Sequence, residues 1–186
     1  MQKALTSSRT RTPSSAKVLM NRSKAHREIS SKELQGAFSF STGELRVENA
    51  LTLAPGHTRQ ADLTAAGWDQ CDSQSEWEAS GVRWVSIWGR WFSITAHFHN
   101  KELTVIDLIW RDGSLLKEDW SATDEDLLKE KKTLAKLIST KAETLAVATS
   151  LGVDTFEFDW GVVSVRADPR SQMVTTSIHY LKKAPS

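Results

Sequence analysis

The sequence is poor in several things that proteins use to brace themselves or to react. Among its 186 residues there is one cysteine, Cys71, so no internal disulfide can form. That excludes a disulfide-stapled fold and favours a reducing compartment. No apolar run approaches the ~20 residues that a membrane helix needs. The start also lacks the apolar segment of about 7–15 residues that marks a secretory signal. These absences make a cytoplasmic location the default. There is no phosphate loop, no dinucleotide fingerprint and no Gly-x-Ser-x-Gly elbow, so the common nucleotide and acyl-transfer chemistries have no foothold. Finally, no acidic residue precedes Glu28.

What is present is uneven. Hydrophobic residues make up 39% and charged residues 25%, which suits a soluble globular chain of one domain. The eight Trp outnumber the six Phe and the single Tyr. Residues 1–27 hold seven cations and no anion, so with a whole-chain charge of +1 the remainder carries −6. The basic stretch is rich in Ser and Thr and short of large apolar side chains. It cannot bury enough surface to offset its ordering entropy, and residues 1–33 are expected to be a disordered tail. Several roles stay open for it: a solvated tail or over-long start ahead of Met20, an organelle transit peptide, a bacterial export signal, or a phosphate-binding arm. Nucleic acid is a poor fit, because no aromatic side chain is interleaved with the cations to stack on bases.

The body, 34–182, reads as strands with two helices. Phe38 and Phe40, then Leu45 and Val47, alternate about a Ser41-Thr42-Gly43 turn. A short helix follows Pro55-Gly56, with Thr58 as N-cap and Gly67 at its C-terminal left-handed position. Residues 69–81 are polar and read as a loop. From Val82 to Trp110 the pattern predicts three antiparallel strands. Trp84, Ser86 and Trp88 share one face of the first, and Gly89-Arg90 turns the chain. Phe92, Ile94, Ala96 and Phe98 share a face of the second. The third, apolar on both sides, is expected to be central. A long helix starts at Ser121 or Thr123, with an acidic first turn that suits the helix dipole. Leu127, Leu134, Ile138 and Leu145 form its apolar stripe, Lys129 to Lys132 read as solvated charge, and Gly152 ends the helical region. Trp160 to Tyr180 is a closing hairpin turned by Asp168-Pro169-Arg170-Ser171, with Gly161 as a bulge or close-packing site. The expected fold is therefore α+β: an antiparallel sheet of about five to seven strands, with one short and one long helix packed on one face.

Few residues suggest chemistry. His97 and His99 share a strand face at the spacing of a metal-ligand pair, with Asp107 and His179 as further donors, but sequence positions no third ligand. Cys71 sits among acids, a poor setting for a thiolate nucleophile. Glu76 and Glu78 lack an apolar pocket that would separate their ionisation. Trp84, Trp88 and Trp91 have two readings. They fill the space between sheet and helix, or they form an aromatic platform for a protein or a sugar.

The segments "GELRVENALTLAPGHT", "HFHNKELTVIDL", "WSATDEDLLKEKKTLAKLI" and "WGVVSVRADPRSQMVTTSIHY" occur in that order. Together they resemble a group of small uncharacterised bacterial proteins that end in Trp-Gly, a strand, an Asp-containing turn and a strand closing on Tyr. The resemblance spans about residues 36–181 and omits the tail. Some members resemble immunity proteins that bind a toxin, which implies a non-enzymatic protein with a protein partner and no cofactor. The leading expectation is an immunity-type inhibitor of a basic toxin, steered by the acidic body and anchored by Trp84, Trp88 and Trp91. The alternatives are a carbohydrate-binding module on the same indoles, and a metal-dependent enzyme using His97 and His99.

Overall fold

The computed structural model describes residues 33–48, 51–73, 76–113 and 122–181. They lie in one compact unit, Glu33–Ser186. Apart from Glu33, the expected tail falls outside the described residues. The strands are β1 (Leu34–Phe38), β2 (Leu45–Val47), β3 (Leu51–Leu53), β4 (Asp69–Ser73), β5 (Trp77–Ile87), β6 (Arg90–His99), β7 (Glu102–Trp110), β8 (Ala148–Thr149), β9 (Val153–Phe158), β10 (Gly161–Asp168) and β11 (Met173–Tyr180). The helices are α1 (Gln60–Ala65) and α2 (Asp124–Ala142).

The eleven strands form one sheet in the order β3-β2-β1-β5-β6-β7-β11-β10-β9-β8, with β4 also paired to β5. β1 runs parallel to β5 and the other pairings are antiparallel. This corrects the expected fold. The protein is mostly sheet, the sheet is mixed, and it has eleven strands rather than five to seven. β2, β3 and β8 have three, three and two residues, too short for alternation to register. The parallel pairing rests on Leu34↔Val85 and Gln35↔Ser86, a non-local contact that no local pattern encodes. The segment expected as a loop forms β4 and the start of β5. β4 pairs only with β5 and is exposed, so a polar composition suits it.

Local chemistry explains the turns. Trp88-Gly89 joins β5 to β6 with φ of 55° and 75°, and Asn100-Lys101 joins β6 to β7 with 51° and 67°. Two positive φ values match the right-handed twist of the flanking strands. Gly67, at φ 82°, closes α1: its N–H bonds Thr64 O, and that of Trp68 bonds Leu63 O at 2.9 Å. Thr58 does not cap α1. It is buried, accepting from Ala54 N at 2.9 Å and donating to Thr52 O at 3.0 Å. Thr123 caps α2, receiving Asp126 N at 3.2 Å. α2 ends at Ala142 rather than near Gly152, because Glu143 turns left-handed at φ 53°. Leu145, expected on the apolar stripe, is therefore 80% exposed.

The sheet is strongly curled. β1 and β10 are separated by five strand spacings, which a flat sheet would make about 24 Å. Yet Trp160, in the turn before β10, donates its indole N–H to Phe40 O at 2.8 Å, just past β1. Its ring stacks on Phe158 at 5.1 Å and meets Phe38 and Tyr180 at 5.8 Å each. Tyr180 donates its hydroxyl to Gly43 O at 2.8 Å. Burial, with the charge of Glu44 second, pushes the Tyr180 phenol well above its ordinary range, so it remains a donor. A Cβ on Gly43 would collide with the Trp160 indole, and one on Gly161 with His179 O. Gly161 is thus the close-packing site, and Trp160 and Tyr180 serve architecture.

The inner face of the curl carries the core. Phe92, Ile94, Ala96 and Phe98 of β6 and Val163 and Val165 of β10 are at most 1% exposed. α2 packs against β10 and β11 with Leu127, Leu134 and Ile138. Glu130 and Lys131, expected in solvent, are buried there as well. Lys131 Nζ donates to Ser150 O at 2.8 Å and to Leu151 O at 3.3 Å, and lies 3.2 Å from Asp154 Oδ1. The charge is buried because the chain after α2 folds three oxygens over it.

Two outcomes follow from this packing. Trp160→Ala removes the ring that closes the curl and should cost about 3 kcal/mol in guanidinium unfolding. Lys131→Ala strands Asp154 in the core and should cost about 3 kcal/mol or more, whereas Lys131→Met with Asp154→Leu should recover most of that loss.

Candidate functional site

Because the inner face is filled, the outer face of the curl is where side chains remain available. Strand alternation sets its rows. One row across β5, β6, β7, β11 and β10 is Gly81, Thr95, Asp107, Ser177 and Ser164. The row beside it is Ala79, His97, Val105, His179 and Val162. On the other side Ser93, Ile109, Thr175 and Arg166 continue the face. Most of these side chains are half-buried, as expected for a sheet face that no described helix covers.

Asp107 is the polar centre. It sits on β7, mid-sheet, and both of its oxygens are engaged. His97 Nε2–H donates to Oδ2 at 3.0 Å, and Ser177 Oγ–H donates to Oδ1 at 2.5 Å. The carboxylate fixes the His97 tautomer, since the nitrogen that faces it must carry a proton. Side-chain exposure is 30% for Asp107 and 36% for His97. Burial alone would raise the Asp107 carboxyl, but the hydrogen bonds from His97 and Ser177, with the charges of His97 and His179, hold it below its ordinary value. The trio is no Ser-His-Asp triad. Ser177 donates to the carboxylate and not to an imidazole, so no base is set to take its proton.

The histidine pair diverges. While His97 is held by Asp107, His99 meets the Trp77 ring at 4.3 Å with the planes tilted by 36°. Among the described residues no group of three or more His, Cys, Asp or Glu side chains could hold a metal ion. Cys71 is exposed on β4.

The three tryptophans diverge too. Trp84 lies at a bulge in β5, where the register shifts between Val82 and Val85, with φ 63° and 39% exposure. The Arg111 guanidinium sits over its ring, 5.8 Å from the centroid, a cation–π distance. Trp91 is half-buried on the same outer face, and its backbone pairs with Arg111 N at 2.8 Å. Trp88 goes elsewhere: it stacks on Phe40 at 5.5 Å and meets Phe38 and Phe92 edge-on, on the packed side. Trp77, 54% exposed at the start of β5, is an outer-face indole that sequence reading missed. Its signal was the Trp77-x-Ala79-x-Gly81 alternation, hidden by the flanking Glu76 and Glu78. Arg111 carried no signal, because its role depends on the bulge.

No helix among the described residues is long and apolar enough to cross a membrane. No protein-family model and no curated protein matches the chain. A chain of the solved structure described as "Rhs1-CT in complex with cognate immunity protein RhsI1" aligns with TM-score 0.47 at 13% identity, covering 78% of this chain and 86% of that one. A likeness of that size carries no functional argument.

The Asp107 network makes a pH prediction. Its folded carboxyl titrates below the value near 3.9 of an unfolded aspartate. Its stabilisation is therefore fully present above about pH 4 and is lost as pH falls through the lower folded value. Asp107→Asn should cost about 1 kcal/mol at pH 7. The variant should also lose less stability than the parent between pH 5 and pH 3, measured by urea unfolding at each pH.

Proposed function

We propose that this protein works by binding another protein with the outer face of its sheet, as an immunity-type inhibitor that covers a basic toxin. One observation carries the reading. Trp84 holds a left-handed backbone, which costs a bulky residue roughly 1–2 kcal/mol, and with it directs an indole outward beneath Arg111. A bulge that re-aims a side chain is a device found beside functional sites. Backbone strain kept at an exposed aromatic is readily understood when the ring is used. Trp and Arg are also the residue types that dominate interface energetics. The net charge of −6 outside the first 27 residues favours encounter with a cationic partner.

Of the indoles suggested by sequence, Trp84 and Trp91 remain as anchors, joined by Trp77 at the far end of β5. Trp88 contributes from behind by fixing the hairpin. Sugar stacking favours bare indole faces, and Arg111 takes one face of Trp84. A metal-dependent reaction would need more donors than the described residues assemble. Protein binding asks only for the exposed aromatic and charged surface that the outer face presents.

The test separates stability from binding. Trp84→Gly relieves the left-handed strain, so the unfolding midpoint should stay level or rise. Affinity for the partner, a toxin-like protein encoded beside this chain and co-purified with it, should fall about 30-fold or more by calorimetry. Failure to recover any partner, or full affinity in Trp84→Gly, would reject the reading.

A further inference from the structure

The centre of the outer face is more specific than its rim. Asp107 occupies the strand that lies midway in the sheet, where both neighbours, β6 and β11, are long and apolar on their inner side. The sheet does not need a carboxylate there. Backbone pairing already joins Thr95↔Asp107 and Ser177↔Asp107. An apolar residue of similar size would avoid the desolvation that a part-buried charge suffers. What the carboxylate does is hold one imidazole and feel the charge of a second. His97 and His179 both flank Val105 in the adjacent row, one from each side, and His97 bonds Asp107 directly. The other charged groups on this face lie further out: Asp69 and Asp72 on β4, Arg166 on β10, Glu157 on β9, Arg111 beyond β7, and Glu102 and His99 at the turn end.

Imidazole is the side chain whose charge changes between pH 5 and pH 8. With both rings neutral, the Asp107 group carries −1. With both protonated it carries +1. Arg166 and Glu157 offset each other at the margin, and Asp69 and Asp72 lie beyond β5, so the charge at the centre itself is set by Asp107 and the histidines beside it. A surface whose middle reverses sign accepts a cation in one state and rejects it in the other.

We propose that Asp107 receives a lysine or arginine side chain of the protein partner, and that protonation of His97 and His179 releases that partner in acid. This rests on the protein-binding reading of the same face and adds to it the chemistry of the contact and a condition that breaks it. Desolvated contact between Asp107 and a guanidinium would occupy the carboxylate lone pairs that His97 and Ser177 leave open, since a carboxylate offers about four acceptor sites. Charge complementarity with the acidic body selects a cationic partner over an anionic one.

The experiment uses the full chain, isotope-labelled, titrated with the peptide acetyl-Arg-Arg-amide and followed by NMR. At pH 7.5 the shift changes should centre on His97, Asp107, Ser177 and His179. The dissociation constant should be at least tenfold weaker at pH 5.5. Asp107→Asn should weaken binding at pH 7.5 by a similar factor. The double variant His97→Gln/His179→Gln should keep at pH 5.5 the affinity it has at pH 7.5, and it tests the proposal even if Asp107→Asn fails to fold. Shift changes centred elsewhere, affinity indifferent to Asp107→Asn, or acid sensitivity that survives loss of both histidines would each overturn it. The peptide replaces the natural partner in this measurement. Absence of any partner would therefore remove the protein-binding reading alone. A partner that depends on Trp84 but ignores Asp107 and pH would remove this inference alone.

Discussion

The contact between Trp160 and the chain just after β1 is what allows this sheet to have an inside. β1 is tied to β5 through only two residue pairs, yet it carries β2 and β3 with it. The closing contacts span 120 residues from Phe40 to Trp160 and 137 from Gly43 to Tyr180. Closing a loop of that length costs about 4 kcal/mol in chain entropy. Two hydrogen bonds at about 1 kcal/mol each do not offset it. The remainder must come from burying rings: Phe38, Phe40, Trp88, Phe158, Trp160 and Tyr180 form a continuous set of stacked and edge-on contacts. The glycines at 43 and 161 are part of the same contact, because each yields the space that a ring or a neighbouring strand occupies. Trp88 and Trp160 are thus structural, and among the described residues Trp77, Trp84 and Trp91 are left for the outer face.

Closing the curl divides the residues of each strand into two populations with different rules. Inside, a charge must be paired, and the buried charge of Lys131 is matched by two carbonyls and Asp154. Outside, a side chain is free to serve something other than the fold. That is where the chain places a strained Trp84, a carboxylate on its central strand, and two histidines beside it. The rigid inner packing matters for this face. An indole or carboxylate held by a filled core loses little freedom when a partner arrives, so less of the interaction is spent on ordering.

How far the sequence revealed this depended on how local each feature is. The strands β5 to β7 and β10 to β11 were legible because their inner faces alternate at period 2 and their turns use residues with known preferences. Gly67 and the Thr123 cap were legible for the same reason. The parallel β1–β5 pairing was not, since nothing near Leu34 refers to Val85. The end of α2 was misread because Leu145 keeps helical spacing even though Glu143 has already left the helix. Glu130 and Lys131 look solvated in a charge run, and only the return of residues 150–154 across the helix explains their burial. On the functional face, alternation put Trp84 and Trp88 on the same side. The left-handed turn at Trp88 separates them: Trp84 still alternates with the buried Val85 and Ile87, whereas Trp88 has already left the strand. Periodicity cannot report where a strand ends.

The position of Asp107 bears on what kind of surface this is. β7 was expected to be apolar on both sides, as a central strand usually is, and its outer side does carry Val105 and Ile109. The carboxylate between them interrupts an otherwise suitable dry patch. Were the face only a sticky apolar surface, that charge would weaken it, since a charge must be desolvated at every encounter with an apolar partner. A carboxylate that keeps two lone-pair directions toward solvent, with indoles on the same face, matches instead the pattern of recognition by a few fixed contacts. The aromatic rings then supply most of the binding energy and the charge supplies the choice of partner, because a wrong side chain opposite Asp107 leaves it unpaired.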